Sequence, residues 1–160
     1  MELTEYFKSL YDKMECHWNV ESSLEYFGDG ESNEGTDESR VIKRYYVKPY
    51  NKIFDEIYLN FNKKRNIESI VWFFGGERLN IAQLKELFGP FKIQNIIYDE
   101  TTELVFSPKD NTAVKSITSS IFEWVEKRPD GTLYFNKLGE KINITNDYDV
   151  TNVTFHMNTI

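Results

Sequence analysis

Hydrophobic and polar residues follow a regular order between residues 53 and 106, and this order predicts strand, turn, strand, helix, strand, turn and strand. Residues 54–61 alternate in the manner of a strand with one buried face, and the polar residues 62–66 form a turn. Residues 67–74 are almost wholly apolar at their end, which favours a central strand. Residues 91–106 are predicted to form a second hairpin.

The helix within this region carries a complete set of local signals. Asn80 is a favourable N-cap, and Gln83 stands three residues later, as in a capping box. Gly89 suits the left-handed position after a helix, and Pro90 prevents its continuation. The sequence therefore predicts a short helix over residues 80–88.

An amphipathic pattern also predicts a helix over residues 3–18. Leu3, Phe7, Leu10 and Met14 recur at the spacing that places side chains on one helical face. We expect this face to pack on the sheet. A helix that docks into the groove of a partner protein is the alternative.

The next segment is acidic, with seven acidic residues and no basic residue between positions 21 and 39. Its composition predicts a flexible acidic loop at about 21–39. A phosphate-binding loop is excluded, because the segment is itself anionic and follows a helix. A calcium loop is disfavoured, because Glu34 stands where the sharp turn needs glycine. An acidic surface for a basic partner and a merely solvated connection both remain open.

Further strands are predicted at residues 40–47, 113–127, 132–135 and 152–158. The segment 113–127 is compatible with helix or strand, and we favour a strand because Arg128-Pro129-Asp130-Gly131 is a turn. Residues 123–125 are then expected to pair with residues 133–135. Residues 137–149 have the composition of a loop.

These elements predict one α+β domain over residues 1–160, built on a mostly antiparallel sheet. The N-terminal helix and the short middle helix are expected on one face of the sheet.

The net charge of −7 and the pI near 4.9 narrow the classes of partner. They argue against nucleic acid and against an anionic membrane, since both attract basic surfaces. The single cysteine excludes an internal disulfide, and the acidic start lacks the features of a signal peptide, so a cytoplasmic location is expected. The sequence does not specify the oligomeric state.

The chain shows no recognisable catalytic pattern. Cys16 and His17 are neighbours on a predicted helix, so their side chains diverge, and His156 is expected on the polar face of a strand. Asp55 and Glu56 are adjacent near a turn and are expected to be solvated. We therefore predict a non-enzyme with no catalytic residue, no metal site and no cofactor.

Tyrosines on the predicted strands, together with the acidic segment, are typical of a surface that receives a basic protein. A sheet surface covered by these tyrosines without a partner is the other interpretation. The residues predicted to bind a partner are Asp29, Glu31, Glu34, Asp37, Glu38, Tyr45 and Tyr58.

Residues 79–106, with their helix, Phe88-Gly89-Pro90 and two strands, resemble the outer-membrane assembly lipoprotein and β-lactamase-inhibitor-protein-like folds. Those folds are small binding modules. As a whole, the chain is similar in size and charge to the immunity proteins of bacterial toxin systems.

Two functional classes follow. The first is a protein-binding domain, with an immunity protein that blocks a toxin by occlusion as the favoured member. The second is an enzyme or small-molecule-binding domain with a pocket between helix and sheet, lined by Trp72, Trp124 and tyrosines.

Overall fold

A computed structural model of the chain describes most of its residues. They are residues 2–14, 18–27, 31–34, 43–47, 55–62, 64–96, 101–108, 113–121, 125–137, 140–144 and 146–158.

An eight-stranded antiparallel sheet is the centre of the fold. Its strands are β1 (Glu31–Glu34), β2 (Lys43–Val47), β3 (Glu56–Phe61), β4 (Ile67–Phe73), β5 (Phe91–Ile96), β6 (Thr101–Phe106), β7 (Val114–Ile121) and β11 (Asn152–Met157). They lie in the order β1-β2-β3-β4-β11-β7-β6-β5. The last strand of the chain therefore lies in the middle of the sheet, beside the predicted central strand β4.

Two helices, α1 (Leu3–Lys13) and α3 (Ile81–Phe88), pack on one face of this sheet. The Phe7 ring of α1 lies 4.6 Å from the ring of Trp72 and 6.0 Å from that of Phe155. The Phe88 ring of α3 lies 5.8 Å from that of Phe155. Because apolar side chains from both helices meet alternate strand residues here, this face holds the core. The predicted α+β fold, with both helices on one face, is confirmed.

The capping box predicted for α3 is present. The Asn80 side chain accepts from the Gln83 backbone N–H, and the Gln83 side chain accepts from the Asn80 backbone N–H. Gly89 has φ +86°, in the left-handed region that favours glycine. The local signals alone were sufficient to predict this helix.

The first helix is shorter than predicted. It ends at Lys13, and Met14 is already extended, with ψ 127°. Downstream, the Trp18 carbonyl accepts from the Ile67 backbone N–H at 2.8 Å, and Asn19 bridges Asn66. Pairing with the β3–β4 turn therefore competes with helix at residues 18 and 19.

The acidic stretch is not a continuous loop, so the prediction for residues 21–39 is wrong over its described part. A second helix, α2 (Val20–Phe27), occupies its start, and β1 follows at Glu31–Glu34. Asn19 and Ser22 exchange side chain-to-backbone hydrogen bonds of 2.9 Å in both directions at the start of α2. This reciprocal cap offsets the weak apolar pattern of the segment.

A separate three-stranded sheet consists of β8 (Val125–Lys127), β9 (Leu133–Lys137) and β10 (Glu140–Ile144), in the order β10-β9-β8. The hairpin at the predicted turn is confirmed, but residues 125–127 rather than 123–125 oppose residues 133–135, with Val125 opposite Phe135. The single strand predicted over residues 113–127 is two strands in different sheets, β7 and β8. Residues 122–124 lie outside the described residues. The prediction of a loop over residues 137–149 is wrong, because β10 pairs with β9 along its whole length.

Candidate functional site

The second face of the large sheet is partly accessible to solvent. Side chains alternate along each strand, so residues between the buried core positions project to this side. We call this surface the open face and define it by residues of β3, β4, β7 and β11: Tyr58, Asn60, Ser69, Val71, Phe73, Ser116, Thr118, Thr154 and His156. All are half-buried or exposed except Thr118, which is buried. The described contacts of α1 and α3 with the sheet lie on the other face.

Aromatic and apolar side chains occupy one side of the open face. Phe73 is the one large hydrophobic residue among the described residues that is classed as exposed, at 39%. Its ring meets that of Tyr58 edge-to-face, with 5.5 Å between centroids. The Tyr58 hydroxyl donates to Glu56 Oε2 at 2.8 Å, which directs its polar end to the rim. The half-buried Val71 stands opposite Tyr58 in the β3–β4 pairing.

Uncharged polar groups occupy the other side. His156 lies between Ser69 on β4 and Ser116 on β7, and its Nε2 is 2.9 Å from Thr118 Oγ1. Burial, followed by the nearby Lys115 ammonium, lowers the pKa of His156 below its usual range. The imidazole is therefore neutral at pH 7, as expected for the polar-face strand residue that the sequence predicted.

Charge is sparse on the open face at neutral pH. Charged residues form 28% of the chain, whereas none of these nine positions carries an acidic or basic side chain other than the neutral His156. Exposed Glu56 lies on the same face of β3, opposite Phe73, and brings one carboxylate to the edge of the open face. The arrangement matches the charge-depleted centre and polar rim of protein interfaces.

The described positions among the predicted partner-binding residues lie on both faces of the sheet. Glu31 stands opposite Tyr46, which stands opposite Tyr58, so the Glu31 and Tyr58 positions belong to one transverse row on the side of the open face. Tyr45 stands opposite the buried Leu59, so Tyr45 and Tyr58 occupy positions on opposite faces. Glu34 is three residues from Glu31 and belongs to the Tyr45 side.

Asp29, Asp37 and Glu38, also predicted to bind a partner, lie outside the described residues. Tyr58 was predicted to bind a partner only because tyrosines are abundant on the predicted strands. The other members of the open face were missed because they are polar or small, and only the order of the strands brings them together.

The prediction that the Asp55 carboxylate is solvated is wrong. Its side chain is 3% exposed and accepts from Trp72 Nε1–H at 3.0 Å, and from the backbone N–H groups of Gly75 and Gly76 at 2.7 and 3.3 Å. It fixes the segment that follows β4. Its neighbour Glu56 is exposed, as predicted.

The remaining candidates for chemistry give no cluster. Within the described ranges, no group of three or more His, Cys, Asp or Glu residues is arranged to hold a metal ion. Cys16 and His17 lie outside those ranges. None of the described helices has the length and apolar character needed to cross a membrane.

Comparison with known proteins gives little beyond a distant likeness of structure. No protein-family model matches the chain. No curated protein matches it either. Among solved structures, it is similar to a DUF4309 family protein (YjgB) from Bacillus subtilis, with 11% identity and a TM-score of 0.44 over 88% of this chain and 78% of that one.

Proposed function

We propose that the protein is a protein-binding domain that receives its partner on the open face. Within that class, we propose an immunity protein that neutralises a basic toxin domain by covering it. The observation that carries the proposal is the uncharged, half-buried centre of the open face, which continues in register toward the acidic strand β1.

Three physical arguments support this choice of face. Tyr58, Val71 and Phe73 offer apolar area that gains free energy when water is excluded. Neutral His156, with serine and threonine neighbours, supplies donors and acceptors without the cost of burying a charge. Glu31 of β1, whose position belongs to the row of Tyr58, would attract a basic partner during approach.

The alternative class, an enzyme or ligand-binding domain with a pocket between helix and sheet, has no support at the tryptophans predicted to line it. Trp72 is 1% exposed and packs against Phe7 and Tyr6, so its surroundings are filled. Trp124 lies outside the described residues. Binding by a surface rather than catalysis in a pocket is therefore the function that we propose.

The test places an arginine at the centre of the open face. The tagged protein is used to capture its partner from the source cells, and the captured protein is then purified. Val71→Arg should weaken the affinity for it by at least about a hundredfold, because a buried, unpaired charge is costly at an interface centre. The matched control is Ala82→Arg, which adds the same side chain at an exposed position of α3. It should change the affinity by less than about threefold.

The immunity role is tested separately, by cell growth. Expression of the captured protein alone should arrest growth, and co-expression of the wild-type chain, but not of the Val71→Arg variant, should restore it. Equal binding by both arginine variants would reject the open face as the binding surface. A captured protein that is harmless when expressed alone would reject the immunity role and leave the binding proposal intact.

A further inference from the structure

An apolar groove lies at the end of the sheet remote from β1. It forms where the chain turns from α3 into β5 at Gly89 and Pro90, and it has a volume of about 670 Å³. That volume is within the range of roughly 300–1,000 Å³ that is common for small-molecule sites. The groove adjoins the open face, because Val105 of its lining stands opposite Thr118 in the β6–β7 pairing.

The wall of the groove is mostly aromatic and aliphatic. Tyr11 of α1 and Phe88 of α3 form one side, with their rings 5.5 Å apart, and Phe91 on the helix side of the sheet forms the other. Val105, opposite Lys92 in the β5–β6 pairing and therefore on the other face of the sheet, completes the lining. Phe91 and Phe106 pack together at 5.6 Å, so the sheet side of the wall rests on the core. Such a surface favours an apolar ligand body over water.

Three lysines lie at or near this groove. Lys92 lines the groove, while the ammonium groups of Lys127 and Lys85 lie 4.8 and 5.6 Å from the centre of the Phe91 ring. Lys85 also donates to Asn146 Oδ1. In the part of the chain that the structure describes, none of the three lysines forms an ion pair.

The charge of these lysines is not cancelled by the helix that ends beside them. The C-terminus of α3 contributes a partial charge of roughly −0.5, which one ammonium group is sufficient to offset. Lys92 at the groove and the Lys127 and Lys85 ammonium groups at the Phe91 ring thus give the groove cationic groups, in a chain whose net charge is −7. An apolar molecule with a single carboxylate would satisfy both features of the site.

We propose that this groove binds an amphipathic monocarboxylate, with its apolar body against Phe88 and Phe91 and its carboxylate toward Lys92 and Lys127. The inference goes beyond the proposed protein-binding function and does not depend on it. A carboxylate at the lysines gains charge-assisted hydrogen bonds, whereas a neutral head group of the same size does not.

Octanoate and 1-octanol are the matched probes, because they share the chain length and differ in the charge of the head group. Calorimetric titration of the full chain should show saturable binding of one octanoate, with 1-octanol at least about tenfold weaker. The triple variant Lys85→Gln, Lys92→Gln, Lys127→Gln should lower the affinity for octanoate about tenfold and leave that for 1-octanol within about twofold.

Two further variants separate the groove from general effects of charge. Lys64→Gln removes one positive charge in the turn between β3 and β4 and should leave octanoate binding unchanged. Ser107→Trp introduces a large ring at an exposed residue of the groove wall and should reduce the binding of both probes. If the triple variant does not fold, Lys92→Gln alone should still lower octanoate affinity by a few fold.

Absence of saturable octanoate binding would overturn the proposal. Equal affinity for octanoate and 1-octanol, or an equal loss in the Lys64→Gln variant, would also overturn it, because the groove lysines would then have no specific role.

Discussion

Asp55 is a carboxylate held in the interior by neutral donors. Among the described residues, its hydrogen-bond donors are the Trp72 indole and the Gly75 and Gly76 backbone N–H groups, and none of these is a basic side chain. Three donors converge on its two oxygens, which is the arrangement that lets a buried carboxylate remain satisfied. The residue links the start of β3 to the end of β4 across 20 positions of sequence.

Replacement of Asp55 by asparagine should destabilise the fold. An amide has one acceptor oxygen, so its NH₂ group would face either the Trp72 indole N–H or the glycine N–H groups and leave a buried donor unpaired. We expect the free energy of unfolding to fall by about 2 kcal/mol. Urea denaturation followed by tryptophan fluorescence and circular dichroism measures this change.

Glu56→Gln is the matched control, since the neighbouring carboxylate is exposed and is bonded by the Tyr58 hydroxyl. It should change stability by less than about 0.5 kcal/mol. In a Trp72→Phe background, Asp55→Asn should cost less than in the wild type, because the indole donor is absent. Equal costs in both backgrounds would show that the indole–carboxylate bond does not stabilise the fold.

At the scale of elements, helices α2 and α3 have the same kind of start. Asn19 with Ser22 and Asn80 with Gln83 each exchange two hydrogen bonds between side chain and backbone. Only α3 was predicted, because its glutamine, glycine and proline fit the known pattern. In α2 the partner is serine, and the surrounding acidic residues indicate a loop.

Asn19→Ala tests whether α2 forms as described. Loss of an N-cap side chain costs about 1 kcal/mol when the helix is folded and packed, so Asn19→Ala should lower stability by that amount. Asn80→Ala supplies the benchmark, with an equal expected loss at α3. Chemical denaturation of both variants under one set of conditions gives the comparison. If stability falls in the Asn80→Ala variant but not in the Asn19→Ala variant, residues 20–27 do not form a capped helix and the predicted loop is supported.

The order of the strands lay beyond sequence analysis. Hairpins β3–β4, β5–β6 and β8–β9 were predictable, since their turns are local. The insertion of β11 between β4 and β7 depends on contacts between distant residues, such as Phe155 with Ile70 and with Ile117. His156 acquires its neighbours by the same insertion. The open face could therefore not be predicted from the sequence, although the prediction that Tyr58 and His156 lie on strands is confirmed.

At the scale of the molecule, the two proposed sites lie toward opposite ends of the strand order. The edge strand β1 is at one end, and β5, with the lysines around Phe91, is at the other. Within β1, Glu34 stands opposite Lys43, whereas Glu31 belongs to the row of Tyr58, so Glu31 is the acidic position that would attract a basic partner to the open face.

The acidic segment should therefore affect the rate of association more than the lifetime of the complex. The variant Asp29→Asn, Glu31→Gln, Glu34→Gln, Asp37→Asn, Glu38→Gln should associate with the captured partner more slowly at low salt, and its rate should depend less on salt. Stopped-flow association at 10 mM and 150 mM salt measures both. If the association rate and its dependence on salt are both unchanged, the segment is only a solvated connection.

Single substitutions within β1 then distinguish long-range attraction from contact. At 10 mM salt the screening length is about 30 Å, so Glu31→Gln and Glu34→Gln should slow association equally, whichever side of the sheet each position serves. At 150 mM salt it falls to about 8 Å, and only charges close to the partner retain their effect. Glu31 shares the transverse row of Tyr58, so Glu31→Gln should remain the slower variant at 150 mM salt. A larger effect of Glu34→Gln there would place the partner on the side of the sheet that carries Tyr45, and not on the open face.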